Sequence, residues 1–260
     1  MAKIQCMAKI TAVTELAEGI FSMWLLVPEI AGQAVPGQFI SLYCQNEDRL
    51  LPRPISLCEI DREAGTLRLV FRVAGAGTEE FSKMMPGQQI KVLGPLGNGF
   101  PLEECSHGKK AILIGGGIGI PPLLQLSKEL SGEVTVVAGY RNADTFLLKE
   151  FEAAAHLVVV ATEDGSIGTK GNVIDAIREE HLQGDVVYSC GPGPMLRGVK
   201  SWGLAEEIPV WVSMEERMAC GIGACLACVC QSTDVDKHSM VQNKRICKDG
   251  PVFLSTDIEL

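Results

Sequence analysis

The chain has 260 residues, 47% hydrophobic, 21% charged and 5% aromatic, with 23 Lys and Arg against 32 Asp and Glu, a net charge of −9. That apolar fraction supports packed cores in about two domains and excludes disorder as the main state. The acidic balance argues against a nucleic-acid binder, which needs a basic footprint, and against docking on an anionic membrane surface. The uncharged stretch from Ala111 to Ser127 is broken by glycines and prolines and falls short of the ~20 apolar residues of a membrane span. The opening Met1-Ala-Lys-Ile-Gln-Cys6 has no signal-peptide apolar core, so a cytoplasmic protein is expected.

Up to about Pro101 the sequence predicts short strands, such as Phe39 to Tyr43 and Leu67 to Val73, separated by turns at Pro36-Gly37, Ala64-Gly65, Pro86-Gly87 and Gly94-Pro95. One helix is predicted here, from Glu79 to Met85. Many short strands at regular spacing favour an antiparallel barrel or sandwich. After Lys109-Lys110 the pattern changes. Apolar runs at Ala111–Ile114, Val134–Gly139, Leu157–Ala161, Val186–Cys190 and Val210–Val212 alternate with helical segments, one reaching Leu130 and another from Gly171 to His181. That alternation predicts a Rossmann-like parallel α/β domain with helices on both faces. From Ser213 the chain reads as a loop-like module rich in Cys and Gly. The expected division is a β-barrel over 1–101, an α/β domain over 102–212 and a small cysteine module over 213–260.

Five of the ten cysteines fall in the last 41 residues, where even spreading would place one or two. In a reducing compartment such clustering points to metal or redox chemistry rather than disulfides. Cys220, Cys225 and Cys228 follow a C-x4-C-x2-C spacing with Cys247 further on, the plant-type pattern for a [2Fe–2S] cluster. Gly221 and Gly223 let the loop curl, so that its backbone N–H groups can bond the sulfurs. The fourth ligand is Cys247 or Cys230. The distant Cys247 is favoured, because Cys230 would crowd Cys228 on one short strand. A structural zinc site also uses four thiolates, but it usually pairs two C-x2-C units, and only one is present.

Gly115, Gly116, Gly117 and Gly119 follow a buried strand and open a helix, a suitable seat for a dinucleotide diphosphate; the run also fits a tight turn without a ligand. Cys190, Gly191 and Pro192 end another strand on the same edge of the sheet. There Cys190 is expected to face a nicotinamide crevice, with a buried core thiol as the alternative. Glu163 to Gly168 is a further loop on that edge. Tyr140-Arg141-Asn142, after the second strand, keeps a phosphorylated dinucleotide possible beside NAD. In the barrel, Arg53 offers a rigid fork for a diphosphate, Pro54 holds it extended, and Ser56 could reach a flavin ring nitrogen. Taken alone, Arg-Pro-x-Ser also fits a surface arginine. Gly77 and Thr78 follow a strand, with Thr78 expected as a helix N-cap beside a phosphate, or as a cap alone.

Together, Arg-Pro-x-Ser, the Gly-Thr turn, the Gly-Gly-Gly-Ile-Gly run and Cys-Gly-Pro-x-Pro-Met, in this order, resemble the ferredoxin–NADP reductase superfamily. Leu50 to Cys58, Met214 to Cys225 and Cys247-Lys-Asp-Gly-Pro-Val-Phe253 are similar to the electron-transfer subunits of NAD-dependent dihydroorotate dehydrogenases. The resemblance spans essentially the whole chain. It implies FAD contacts at Arg53, Pro54, Ile55, Ser56, Val70, Phe71, Arg72, Gly77 and Thr78, and cluster ligation by Cys220, Cys225, Cys228 and Cys247. It also implies a separate FMN-containing, TIM-barrel catalytic subunit, two copies of each chain, and electron flow through [2Fe–2S] and FAD to NAD+ in pyrimidine biosynthesis. No acid–base residue for dihydroorotate itself is evident. The alternatives are a similar subunit of a hydrogenase, sulfide dehydrogenase or transhydrogenase, and, in another class, a zinc-stabilised nucleotide-binding regulatory module.

Overall fold

The structure, a computed structural model, describes residues 3–46, 48–106, 108–235 and 240–260. Six strands, β1 (Ile4–Ala17), β2 (Ile20–Leu26), β3 (Phe39–Leu42), β4 (Arg53–Asp61), β5 (Thr66–Arg72) and β6 (Gln89–Leu96), close into an antiparallel barrel in the order β1-β2-β5-β4-β3-β6. Closure leaves no unpaired edge. Inward residues, among them Ile10, Met23, Leu25, Ile40, Leu57, Leu69 and Val92, form its dry core. Two short helices decorate it, α1 (Pro28–Ala31) and α2 (Ala76–Ser82). The predicted helix from Glu79 to Met85 therefore starts three residues earlier and ends at Ser82. Its N-cap is Gly75, not Thr78, which is the third helical residue.

The second domain holds β7 (Lys110–Gly116), α3 (Pro122–Glu129), β8 (Glu133–Tyr140), α4 (Leu148–Ala154), β9 (Leu157–Thr162), β10 (Thr169–Lys170), α5 (Val173–Glu179), β11 (Val186–Cys190), α6 (Gly193–Ala205) and β12 (Val210–Ser213). The apolar runs read from the sequence form its central strands, because a strand covered on both faces must be apolar along its whole length. The tail is more ordered than its composition suggests. A hairpin joins β13 (Val229–Gln231) to β14 (Asn243–Arg245), and β15 (Val252–Leu254) adds an antiparallel edge to the parallel sheet. The sheet order is β10-β9-β8-β7-β11-β12-β15, so the seventh strand comes from the cysteine-rich segment.

Three sets of contacts lock barrel, sheet and tail together. The Ile60 N–H donates to buried Gln125 Oε1 at 2.7 Å, fastening β4 to α3. Tyr188 Oη donates to the Pro101 carbonyl at 2.8 Å, and its ring packs edge-on to Phe100. Asn98, just beyond β6, receives the Val252 N–H at 3.0 Å and donates to the Val252 carbonyl at 2.8 Å; its own N–H donates to the Gly250 carbonyl at 2.7 Å. These ties place the carboxyl edge of the sheet against β4 and β5. No helix among the described residues is long and apolar enough to cross a membrane.

Candidate functional site

Two clefts open along that edge. The first, about 620 Å³, runs between the barrel and the segment after β12. Pro54, Ile55 and Ser56 of β4 and Val70, Phe71 and Arg72 of β5 line it. Adjacent strands bring these two sets side by side, since Phe39 of β3 pairs with Ser56 and β4 pairs with β5. Arg53 lies beside the cleft, its guanidinium donating to the Leu51 carbonyl and resting over Gly77. Any side chain at residue 77 would run into that guanidinium, so the glycine makes room for a cation at the start of α2. Thr78 does something else. Its hydroxyl accepts the Ala74 N–H at 2.9 Å and the Gly75 N–H at 3.2 Å, and donates to the Gly75 carbonyl at 3.0 Å, which shapes the turn.

The second cleft, about 390 Å³, lies over the ends of β7, β8 and β11. Gly116, Gly117, Gly119, Gly191 and Pro192 line it, as do Tyr140, Arg141 and Glu163. Gly117 has φ 54°, which an L side chain rarely adopts. The remaining predicted positions face inward. Gly115 packs under Ile120 and Leu123, where a Cβ would stand 2.9 Å from Ile120. Cys190 is fully buried and is absent from both cleft walls; its carbonyl presses on Gly119. Burial, and then the Glu215 charge, push its thiol pKa up, so it is held protonated. Pro121 and Pro122 carry no N–H, so the donors at this turn are those of the glycine run itself.

Arg72, Ile118 and Glu215 line both clefts, which therefore meet there. The sequence reading gave Glu215 no role, nor Met214 and Met218, which also wall the first cleft. The signal was positional: they follow the last parallel strand on the sheet's carboxyl edge, where ligands of such sheets bind. Burial raises the Glu215 carboxyl pKa, and the Arg72 cation works against that shift.

Just beyond Met218 the chain coils through Gly221 at φ 69° and Gly223 at φ 83°, left-handed turns that point backbone N–H groups inward. Ile222 and Ala224 donate to Cys220 Sγ at 3.4 and 3.3 Å. Burial opposes ionisation of Cys220, but these donors and the Cys225 thiol lower its pKa to about 6. Cys228 and Cys247, both buried, pair with each other across the chain; the Ile246 N–H donates to the Cys228 carbonyl at 2.8 Å. Burial first, and then Cys228, push the Cys247 thiol up to about 12. Cys230 lies on β13, opposite Lys244, outside these pairs. Among the described residues no group of three or more His, Cys, Asp or Glu side chains converges on a single metal-sized position. The thiols stand instead as two pairs with backbone donors, a soft donor set that fits a two-iron cluster.

Comparison with known proteins follows the same three parts. The oxidoreductase FAD-binding domain family matches residues 8–100, the oxidoreductase NAD-binding domain family matches 113–201, and the iron-sulfur cluster binding domain of dihydroorotate dehydrogenase B matches 215–259. A Listeria monocytogenes protein named dihydroorotate dehydrogenase B (NAD(+)), electron transfer subunit, is 44% identical over 99% of this chain and 100% of its own. The chain belongs to this electron transfer subunit family. A Bacillus caldolyticus protein of the same name is 42% identical over 94% of this chain and 95% of its own. Among solved structures, one described as an NADH-dependent reduced ferredoxin-NADP oxidoreductase superposes with TM-score 0.86 at 29% identity, covering 98% of this chain and 90% of that one. A Neisseria gonorrhoeae ferredoxin NADP+ reductase, TM-score 0.65 at 19% identity over 83% of this chain and 95% of its own, shares the fold. The chain thus carries FAD-, NAD- and iron–sulfur-binding domains, in that order along its length.

Proposed function

We propose that this chain is the electron-transfer subunit of an NAD-dependent dihydroorotate dehydrogenase, carrying electrons from an FMN-containing TIM-barrel catalytic subunit through a [2Fe–2S] cluster and FAD to NAD+. Full-length relatives of that name support the reading. We place it in two copies beside two catalytic subunits, in the cytoplasm, a compartment that suits ten free cysteines. The observation that carries the proposal is the shared wall of Arg72, Ile118 and Glu215 between the two clefts. A flavin in the first cleft and a nicotinamide in the second would be neighbours, and Met218 leads from the first directly into the thiol loop.

When bound, FAD supplies the exchange between single electrons and a hydride, and the cluster supplies single-electron transport. The protein's part is to hold and orient these groups. Arg53, seated over Gly77, would bind the FAD diphosphate, and Ser56 in the cleft wall would offer its hydroxyl to the ring system. Pro54, Ile55, Val70 and Phe71 exclude water from one side, while Arg72 and Glu215 set opposite charges where the two clefts join. Gly116, Gly117, Gly119, Gly191 and Pro192 let the dinucleotide approach the backbone; Gly115 and Cys190 pack beneath them. Cys220, Cys225, Cys228 and Cys247 would hold the cluster.

The test is an anaerobic absorption spectrum followed through stepwise NADH addition. Flavin bands and a broad cluster shoulder, both bleaching, are expected; a colourless protein unchanged by iron and FAD reconstitution would overturn the reading. Iron and sulfide analysis of two variants separates the ligands: Cys247→Ser loses the cluster and Cys230→Ser keeps it. The 0.86 superposition favours one second reading, a flavin and iron–sulfur subunit of a transhydrogenase. Dihydroorotate-dependent NAD+ reduction with the partner subunit present decides between them.

A further inference from the structure

Ser41 is a buried hydroxyl without a use in the fold. It lies in the middle of β3, paired with Pro54 of β4 and Leu93 of β6, and is 0% exposed. Its Oγ has no hydrogen-bond partner among the described residues. An unmade hydrogen bond on a buried hydroxyl is a net cost to the fold, and alanine at the same place would avoid that cost.

Gly221, the residue after Cys220, lies directly against this hydroxyl; a Cβ there would stand 3.1 Å from Ser41 Oγ and 3.2 Å from a methyl of Leu96, tighter than ordinary contact, so the glycine lets the thiol loop approach β3. On the barrel side the same face of β3 carries Phe39, two residues earlier, which walls the first cleft. Phe39, Leu96 and Met218 pack in one apolar cluster with Cys228 and Cys247. Ser41 therefore occupies the partition between the flavin cleft and the thiol loop. It is not among the residues that line the cleft, and its hydroxyl lies against Gly221 of the loop.

We infer that the Ser41 hydroxyl is a hydrogen-bond donor to the sulfurs of the cluster held by Cys220, Cys225, Cys228 and Cys247, and that it sets the cluster's potential from the barrel side. This rests on the cluster reading above. Reduction adds negative charge to the sulfurs, and a donor aimed at them stabilises the reduced form and raises the potential. The Ile222 and Ala224 N–H groups do this from within the loop. Ser41 adds a donor from another domain, at a buried position where a hydrogen bond meets less competition from water. A serine on β3 thereby makes the barrel part of the cluster site. Its role is positioning and tuning, not catalysis.

The experiment compares the full-length holoprotein with Ser41→Ala in an anaerobic redox titration read by EPR and visible absorption. The expected result is a downward shift of the cluster midpoint potential with altered g-values, an unmoved FAD potential, and a return toward the parent in Ser41→Thr. Loss of the cluster from Ser41→Ala with FAD retained, reversed in Ser41→Thr, would also support the assignment. A cluster potential and EPR spectrum identical to the parent's would overturn it and leave the cluster reading intact. A shift confined to FAD would overturn it by placing the hydroxyl on the flavin. A parent with no [2Fe–2S] signal after reconstitution would overturn both.

Discussion

Gly77 and Gly119 are both intolerant of a side chain, but for different reasons. Beside Gly77 the obstacle is the Arg53 guanidinium, the end of a flexible chain; beside Gly119 it is the backbone of Cys190 and Gly191. Gly77→Ala should therefore keep the fold and displace Arg53. FAD affinity is expected to fall roughly tenfold, about 1.4 kcal/mol, in a flavin fluorescence titration. An unchanged affinity would show that Arg53 does not hold the flavin. Gly119→Ala has no such escape, and overpacking of this kind costs about 1–3 kcal/mol. Urea denaturation should show that loss as a lower midpoint with the slope unchanged. The sequence placed all four glycines of the run at the cofactor, and only the packing separates Gly115, which faces inward, from those that line the cleft.

At the level of elements, α3 is bound to the barrel by charge as well as by Gln125. Glu59 of β4 accepts from Arg68 at 2.6 Å and from Lys128 of α3, and Arg62 donates to Glu129 at 2.8 Å. Burial opposes the Glu59 charge, but the bonds from Lys128 and Arg68 prevail and hold its pKa below the usual carboxylate value. A lowered folded-state pKa gives stability that is complete above the unfolded value, about 4.3, and is lost as pH falls through the folded value. Thermal melts across that acid range should show the loss in the parent and a shallower dependence in Glu59→Gln. At pH 7 that variant should be less stable by about 1.5–3 kcal/mol, the worth of a charged hydrogen bond. Equal slopes would remove Glu59 from the account. The early start of α2 belongs to the same scale. Thr78 satisfies two N–H groups of the preceding turn, so the helix forms ahead of Glu79, where the sequence predicts its start.

At the level of the molecule, the tail belongs to the barrel as much as to the sheet. Asn98 holds Gly250 and Val252 through three hydrogen bonds, and the neighbouring Pro251 closes one wall of the first cleft. Asn98→Ala removes the two shorter side-chain bonds to Val252 and a longer one, at 3.4 Å, to the Asp249 carbonyl. At ~1 kcal/mol for each of the two shorter bonds, it should lower stability by about 2 kcal/mol, read by denaturation, and should weaken FAD retention during gel filtration. Full retention would show that the remaining backbone bond and β15 suffice to hold the wall.

What the amino-acid sequence determined by itself lies within short reach along the chain: buried strand runs, glycine turns after strands, and the spacing of three cysteines in one loop. Each follows from backbone freedom, side-chain period or ligand geometry over a few residues. Tertiary structure alone decided that Arg72 meets Glu215, that Cys228 pairs with Cys247, that β15 runs antiparallel to β12, and that Ser41 faces Gly221. Those meetings join residues far apart in the chain. Barrel closure and strand order bring them together, and no local pattern encodes either.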